Sequence, residues 1–175
     1  MDGGGGVTGL GECALGAEIS QDRSRCAVAK CWRESASRLA VKVAWHGLTA
    51  AAADVLDALY VADDPVSVAL DPKSPSATLC GQLAERGIVV ARLGPEDVAV
   101  AHGEFRDLVA TGGLRHFDQA PLTAAVRGAA ERPLSGATAL QRRVASDQSP
   151  LTASEFAVWA FTRWEELSRP GAWVV

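Results

Sequence analysis

Residues 38–46 read RLAVKVAWH, in which Leu39, Val41, Val43 and Trp45 alternate with Ala40, Lys42 and Ala44. That period of two belongs to a strand with one face buried. Two further strand-like runs precede it, 13–19 (CALGAEI, despite Gly16) and 25–33 (RCAVAKCWR), separated by the polar turn 21–24. Three strands joined by links this short predict an antiparallel meander. The chain therefore opens as a sheet, and the rest of the fold has to be built on it.

After residue 48 the pattern changes to alternation. Residues 49–61 predict a helix with Val55, Leu56, Leu59 and Tyr60 on one face. A strand over 66–70 ends at Asp71, and Ser74 or Ser76 caps a helix that runs to Arg86 and stops at Gly87. A strand follows over 88–93, then a helix from Pro95 to about Ala110 with Gly112 and Gly113 as its stop. Residues 114–117 are extended, 121–130 helical until Pro133, and 137–144 a last strand. Ser149 as N-cap and Pro150 at the first helical position open a closing helix that reaches about Leu167 and buries Leu151, Phe156, Trp159 and Trp164. The expected fold is α/β: a mixed sheet with flanking helices. The expected organisation is a flexible Gly-rich tail over 1–11 and one domain over 12–175.

Composition narrows the function. No run approaches the roughly 20 apolar residues of a membrane helix, and the N-terminus lacks the basic-then-apolar order of a signal peptide, so a cytoplasm is expected. Cys13, Cys26, Cys31 and Cys80 form no C-x-x-C pair and read as small buried hydrophobes. A net charge of -4 argues against a module that binds DNA by charge alone. A metal-dependent nuclease is less affected, because its own carboxylates swell the acidic count. Gly4, Gly6 and Gly9 satisfy G-x-G-x-x-G, but no strand precedes them, so a nucleotide-binding domain has little support.

Three acids stand at element edges: Glu18 near the end of the first strand, Asp71 closing the strand after the first helix, and Asp147 just before the last helix. Carboxylates held this way suit Mg²⁺ or Mn²⁺, hard ions that take oxygen ligands. Two such ions can activate water and stabilise the leaving oxygen of a phosphodiester. Each acid also has an ordinary explanation. Asp71 before Pro72 suits a turn, Asp147 suits a helix start, and Glu18 suits an exposed strand end.

Residues 18–28 (EISQDRSRCAV) resemble the first strand and turn of the nuclease domain in phage terminase large subunits. Residues 66–71 (VSVALD) with Pro72-Lys73 resemble the segment that carries its second acid. Residues 102–109 (HGEFRDLV), 113–116 (GLRH) and 121–126 (PLTAAV) are similar to its middle stretch, and 147–151 (DQSPL) to the segment with its third acid. The resemblance spans roughly residues 12–165. It implies a ribonuclease-H-like fold, an endonuclease using two Mg²⁺ or Mn²⁺ ions at Glu18, Asp71 and Asp147, and cutting of concatemeric viral DNA during packaging. It further implies double-stranded DNA, a terminase ATPase domain, a small terminase subunit and a portal as partners, in the cytoplasm of a bacterial host. Two departures stand out. Glu18 occupies a position that usually holds Asp, and no G-x-x-x-x-G-K-[ST] ATPase motif occurs in these 175 residues.

Between 112 and 146 the basic residues Arg115, Arg127, Arg132, Arg142 and Arg143 outnumber the acids Asp118 and Glu131. Arg142 and Arg143, with Lys73, are the candidate DNA-backbone contacts; a charged strand edge is the alternative for the arginine pair. His116 reads as a surface histidine, His46 and His102 yield no functional reading, and Trp173 is a candidate partner contact. A second overall reading is a catalytically silent ribonuclease-H-like domain used to bind DNA or protein, consistent with Glu18 and the acidic balance.

Overall fold

The computed structural model describes residues 12–168; the stretch 1–11 and residues 169–175, with Trp173, lie outside the described residues. The meander forms as expected from β1 (Cys13–Ile19), β2 (Arg25–Ser35) and β3 (Arg38–Leu48). A 3-10 turn at Thr49–Ala51 leads into α1 (Ala52–Asp63), followed by β4 (Ser67–Leu70), α2 (Ala77–Glu85), β5 (Ala91–Arg92) and α3 (Pro95–Thr111). The chain continues through β6 (Leu114–Arg115), α4 (Ala120–Arg127), β7 (Glu131–Leu134), β8 (Ala137–Leu140) and α5 (Ser149–Ser168). One mixed sheet runs β5-β4-β1-β2-β3-β6, with β4, β5 and β6 each joining in parallel. No helix among the described residues is long and apolar enough to cross a membrane.

β1 is central and all seven of its residues are buried. Leu15, Ala17 and Ile19 face one core with Leu56 of α1 and Leu79 and Leu83 of α2. Ala14 faces the other core, shared with α3, α4 and α5. Beneath α5 the sheet is paved with small residues, Ala14, Ala27, Ala29 and Ala69, and α5 answers with Ala153, Ala157 and Ala160. Gly16 is the closest point of approach. A Cβ there would lie 2.3 Å from the Ala153 carbonyl oxygen and 2.4 Å from the Ala157 nitrogen. The glycine inside a strand is thus the condition for seating α5 directly on the sheet. Trp159 and Trp164 pack against this core, as their helical spacing predicts.

Four expectations need correction. The strand over 88–93 shrinks to the two residues of β5. The strand over 137–144 stops at Leu140 and is one arm of a separate hairpin, β7–β8. Pro133 does not stop that region but sits within β7, opposite Thr138; a two-stranded ribbon leaves each strand an open edge, where a proline's missing N–H is tolerated. The turn places both Ser135 and Gly136 at positive φ (50° and 79°), the backbone of a type I′ hairpin. Finally, Ser149 is already helical. The capping acceptor is Asp147, whose Oδ1 takes the Ser149 N–H at 2.8 Å.

The hairpin is tied down through His102 of α3. Its Nδ1 lies 2.9 Å from Glu155 of α5 and its Nε2 3.2 Å from Glu131 at the start of β7. The hydrogen bond to Glu155 is the chief cause holding the His102 pKa above its ordinary value. This anchor fixes the hairpin whose exit carries the chain to Arg142.

Candidate active site

Sheet register assembles the site. Glu18 pairs with Ala27 and Ala27 with His46. On the other side, the parallel register of β1 and β4 runs to Gly16 opposite Ala69, so two residues further on Asp71 stands beside Glu18. Asp71, Glu18, Ala27 and His46 therefore form one row, on the face covered by α5. The two carboxylates stand at the carboxyl ends of adjacent parallel strands, the usual ligand-binding edge of an open α/β sheet.

Asp71 is held by the turn it makes. Its Oδ1 accepts the Lys73 N–H at 2.8 Å, which leaves Oδ2 to accept from Arg142 Nη1 at 2.8 Å. The turn explanation and the ligand explanation are compatible, since each uses a different oxygen. Glu18 is not an exposed strand end: it is 1% exposed. The Ser74 and Ser76 hydroxyls both lie 3.1 Å from its Oε2, and Arg142 Nη1 lies 3.4 Å from its Oε1. Ser76 also accepts the Ile19 N–H at 2.8 Å. Its hydroxyl is thus committed to β1 and Glu18 and does not cap α2.

Burial dominates the Glu18 equilibrium and pushes its pKa up to about 7; Arg142 pulls it down, Asp71 raises it, and the two serine hydroxyls lower it. The sign for stability follows. Below the ordinary glutamate value near 4.5, both folded and unfolded chains hold the proton. Between there and about 7 only the unfolded chain gives it up, so stability falls as pH rises, and the loss persists above 7. The expected loss is up to about 3 kcal/mol. Urea unfolding in EDTA from pH 4 to 8 should show it, and Glu18→Gln should flatten the curve. Parallel curves for the two proteins would remove Glu18 as the cause.

Asp147 stands apart from this pair. Its Oδ2 lies 2.9 Å from His46 Nε2 and its Oδ1 caps α5. The structure brings Glu18 and Asp71 together and turns Asp147 toward the opposite end of the row. Among the described residues, no three His, Cys, Asp or Glu side chains are grouped closely enough to hold a metal.

Glu18 and Asp71 nevertheless fit one hard cation, because an oxygen from each already approaches a single cationic nitrogen, Arg142 Nη1. Beside Glu18, a small recess is lined by Gln148, Ser149 and Thr152 at the start of α5. The side-chain oxygens of these three are buried without a partner among the described residues. The donor set is all oxygen, as Mg²⁺ and Mn²⁺ require.

Next to the carboxylates opens a cleft of about 620 Å³ lined by Arg23, Lys73, Arg132, Arg142, Arg143 and one acid, Asp71. In a chain of net charge -4 this is a concentrated positive field. Lys73, Arg142 and Arg143 all line this cleft. Arg142 is no strand edge; its side chain is only 11% exposed, with the guanidinium 5.5 Å from the Phe156 ring. Arg115 instead pairs with Glu34 at the sheet edge, and Arg127 lines a separate groove between α3 and α4. Sequence reasoning missed Arg23, His46 and the Gln148–Ser149–Thr152 oxygens. The signal for His46 was there in part: short hairpin turns fix register, and register puts it on the row of Glu18.

No protein-family model and no curated protein matches the sequence. Solved structures do. The large terminase of bacteriophage HK97 is similar over 83% of this chain at 11% identity and a TM-score of 0.63; the chain spans 39% of that protein's length. The large terminase nuclease of thermophilic phage G20c is similar over 83% of this chain and 80% of its own, at 13% identity and a TM-score of 0.63. The large terminase nuclease domain of Thermus phage P74-26 matches at 10% identity, a TM-score of 0.60, and 83% and 77% of the two chains. At such identities the likeness is one of architecture: the chain has the ribonuclease-H-like fold of the large terminase nuclease domains.

Proposed function

We propose that this chain is a metal-dependent DNA endonuclease domain of a terminase large subunit. The observation that carries the reading is the pair Glu18 and Asp71, abreast at the carboxyl ends of parallel strands and opening on a cleft lined by five cationic side chains. Glu18 and Asp71 would hold Mg²⁺ or Mn²⁺, which would polarise the scissile phosphate and lower the pKa of a water. Arg23, Lys73, Arg132 and Arg143 would neutralise backbone phosphates and set the register of the duplex. Asp147 would serve a second ion once it leaves His46. Double-stranded DNA is the substrate in this reading. The ATPase domain, small terminase subunit and portal would be supplied by the packaging assembly inside a bacterial host.

Nicking of supercoiled plasmid tests the proposal. Conversion to open circle in Mn²⁺ or Mg²⁺, abolished by EDTA, is the expected result. Nicking that persists in EDTA would refute the metal. The absence of nicking with either ion, while calorimetry also shows no Mn²⁺ binding, would favour the second reading, a catalytically silent domain used to bind DNA or protein. That reading draws on one observation: Arg142 already pairs with both carboxylates.

A further inference from the structure

The side chain at the centre of the site is a cation contributed by the protein itself. Arg142 Nη1 lies 2.8 Å from Asp71 Oδ2 and 3.4 Å from Glu18 Oε1, so it stands where an ion shared by these carboxylates would have to bind. We infer that Arg142 is an internal competitor for the metal: it plugs the Glu18–Asp71 pair in the metal-free protein and must swing away before a divalent ion can enter. This rests on the metal reading proposed above and adds a regulatory element to it.

Several features make the plug releasable rather than permanent. One of its two contacts is short and the other long. Its second terminal nitrogen, Nη2, is buried with no partner among the described residues, and a buried donor left unpaired costs about 1–3 kcal/mol. The chain around Arg142 is irregular, lying between the end of β8 at Leu140 and the start of α5 at Ser149. No regular element has to break for it to move. Arg142 also lines the cationic cleft, together with Arg23, Lys73, Arg132 and Arg143, whose charge would attract phosphates. A phosphate would offer the guanidinium two acceptor oxygens in the bidentate geometry it prefers. A polyanion in the cleft and an ion at the carboxylates would therefore each favour the open state. Binding of one would promote binding of the other.

The plug also accounts for a charge problem. Two carboxylates side by side on adjacent strands repel each other and are costly to bury without a counter-ion. In the metal-free protein Arg142 supplies that counter-charge. A divalent ion takes over the role on binding, so the exchange replaces one positive charge with two. Its net driving force is smaller than for an ion entering an uncompensated site.

The competition is measurable without turnover. A binding site open for only a tenth of the time shows a tenfold weaker apparent affinity. Arg142→Met keeps the apolar stem against Phe156 and removes the cation. Calorimetric titration with MnCl₂ should give a dissociation constant at least about tenfold lower for the variant than for the unaltered protein. A second measurement needs no variant. Phenylglyoxal modifies accessible guanidinium groups, and peptide mass spectrometry can follow Arg142 with exposed Arg143 as internal reference. Mn²⁺ should accelerate modification at Arg142 several-fold and leave Arg143 unchanged. Should Arg142→Met fail to fold, the reagent result decides alone. If Mn²⁺ binds but Arg142 reactivity does not rise, or if Arg142→Met binds Mn²⁺ no more tightly, the plug is wrong and the metal site stands. If neither protein binds Mn²⁺ at millimolar concentration, the metal reading falls and the plug falls with it.

Discussion

Gly16→Ala is expected to destabilise the protein by about 3 kcal/mol or more. The added carbon would meet the Ala153 carbonyl oxygen at 2.3 Å, the Ala157 nitrogen at 2.4 Å and the Phe156 carbonyl carbon at 2.9 Å. All three are main-chain atoms of α5, so no side-chain rotation can relieve the contact. Either the central strand bends or the whole helix lifts, and lifting it opens the packing of Phe156 and Phe161, both buried at the centre of the core. The comparison is with ordinary strand glycines, where alanine is neutral or stabilising. Urea unfolding measures the cost directly. A loss below about 1 kcal/mol would mean that α5 can be lifted from the sheet at little expense. The substitution should also disturb the site, because Asp147 and the Gln148–Ser149–Thr152 recess sit at the start of that helix. Weaker Mn²⁺ binding at full occupancy of the fold would report that displacement separately from stability.

Asp71→Asn is expected to lower the rate of DNA nicking in Mn²⁺ by at least about a thousandfold, roughly 4 kcal/mol of barrier. The amide keeps the size of the carboxylate and can still accept the Lys73 N–H through Oδ1, so the turn after β4 should survive. What is lost is the charge on the oxygen that faces Arg142. On the proposed metal reading a neutral amide would be a poor ligand for a hard divalent ion, because the other carboxylate, Glu18, is itself reluctant to ionise when buried. Initial nicking rates, compared with circular dichroism and with Mn²⁺ affinity, separate chemistry from folding. A variant that nicks within tenfold of the unaltered protein would show that Asp71 is not a ligand of the reacting ion.

The sheet was largely legible because its signals are local. Alternation marks β3, and short polar turns force β1, β2 and β3 into a meander. The helices were legible to within a turn from apolar spacing, Pro95 and Gly112. β7 was not, because Pro133 reads as a stop unless the strand is known to be an edge. The burial of Glu18 was illegible for a different reason. It is imposed by the Ser74–Ser76 turn and by the start of α5, segments more than fifty and a hundred residues away along the chain. His46 meets Asp147 across 101 residues. Contacts of this kind follow from topology, and no window of sequence contains them.

The meander gives the site a fixed gauge. Strands in a sheet are spaced about 4.8 Å apart by main-chain hydrogen bonds, so the lateral separation of Asp71, Glu18 and His46 is a property of the backbone lattice rather than of the side chains mounted on it. Evolution of the residue identities cannot stretch or shrink that spacing; it can change only how far each side chain reaches along it. The one short side chain in the row is Ala27, buried beneath α5 between Glu18 and His46. A glutamate at position 18 carries its oxygens one methylene further from its strand than an aspartate does. On a lattice of fixed pitch, side-chain length and the smallness of Ala27 become the two adjustable dimensions of the site.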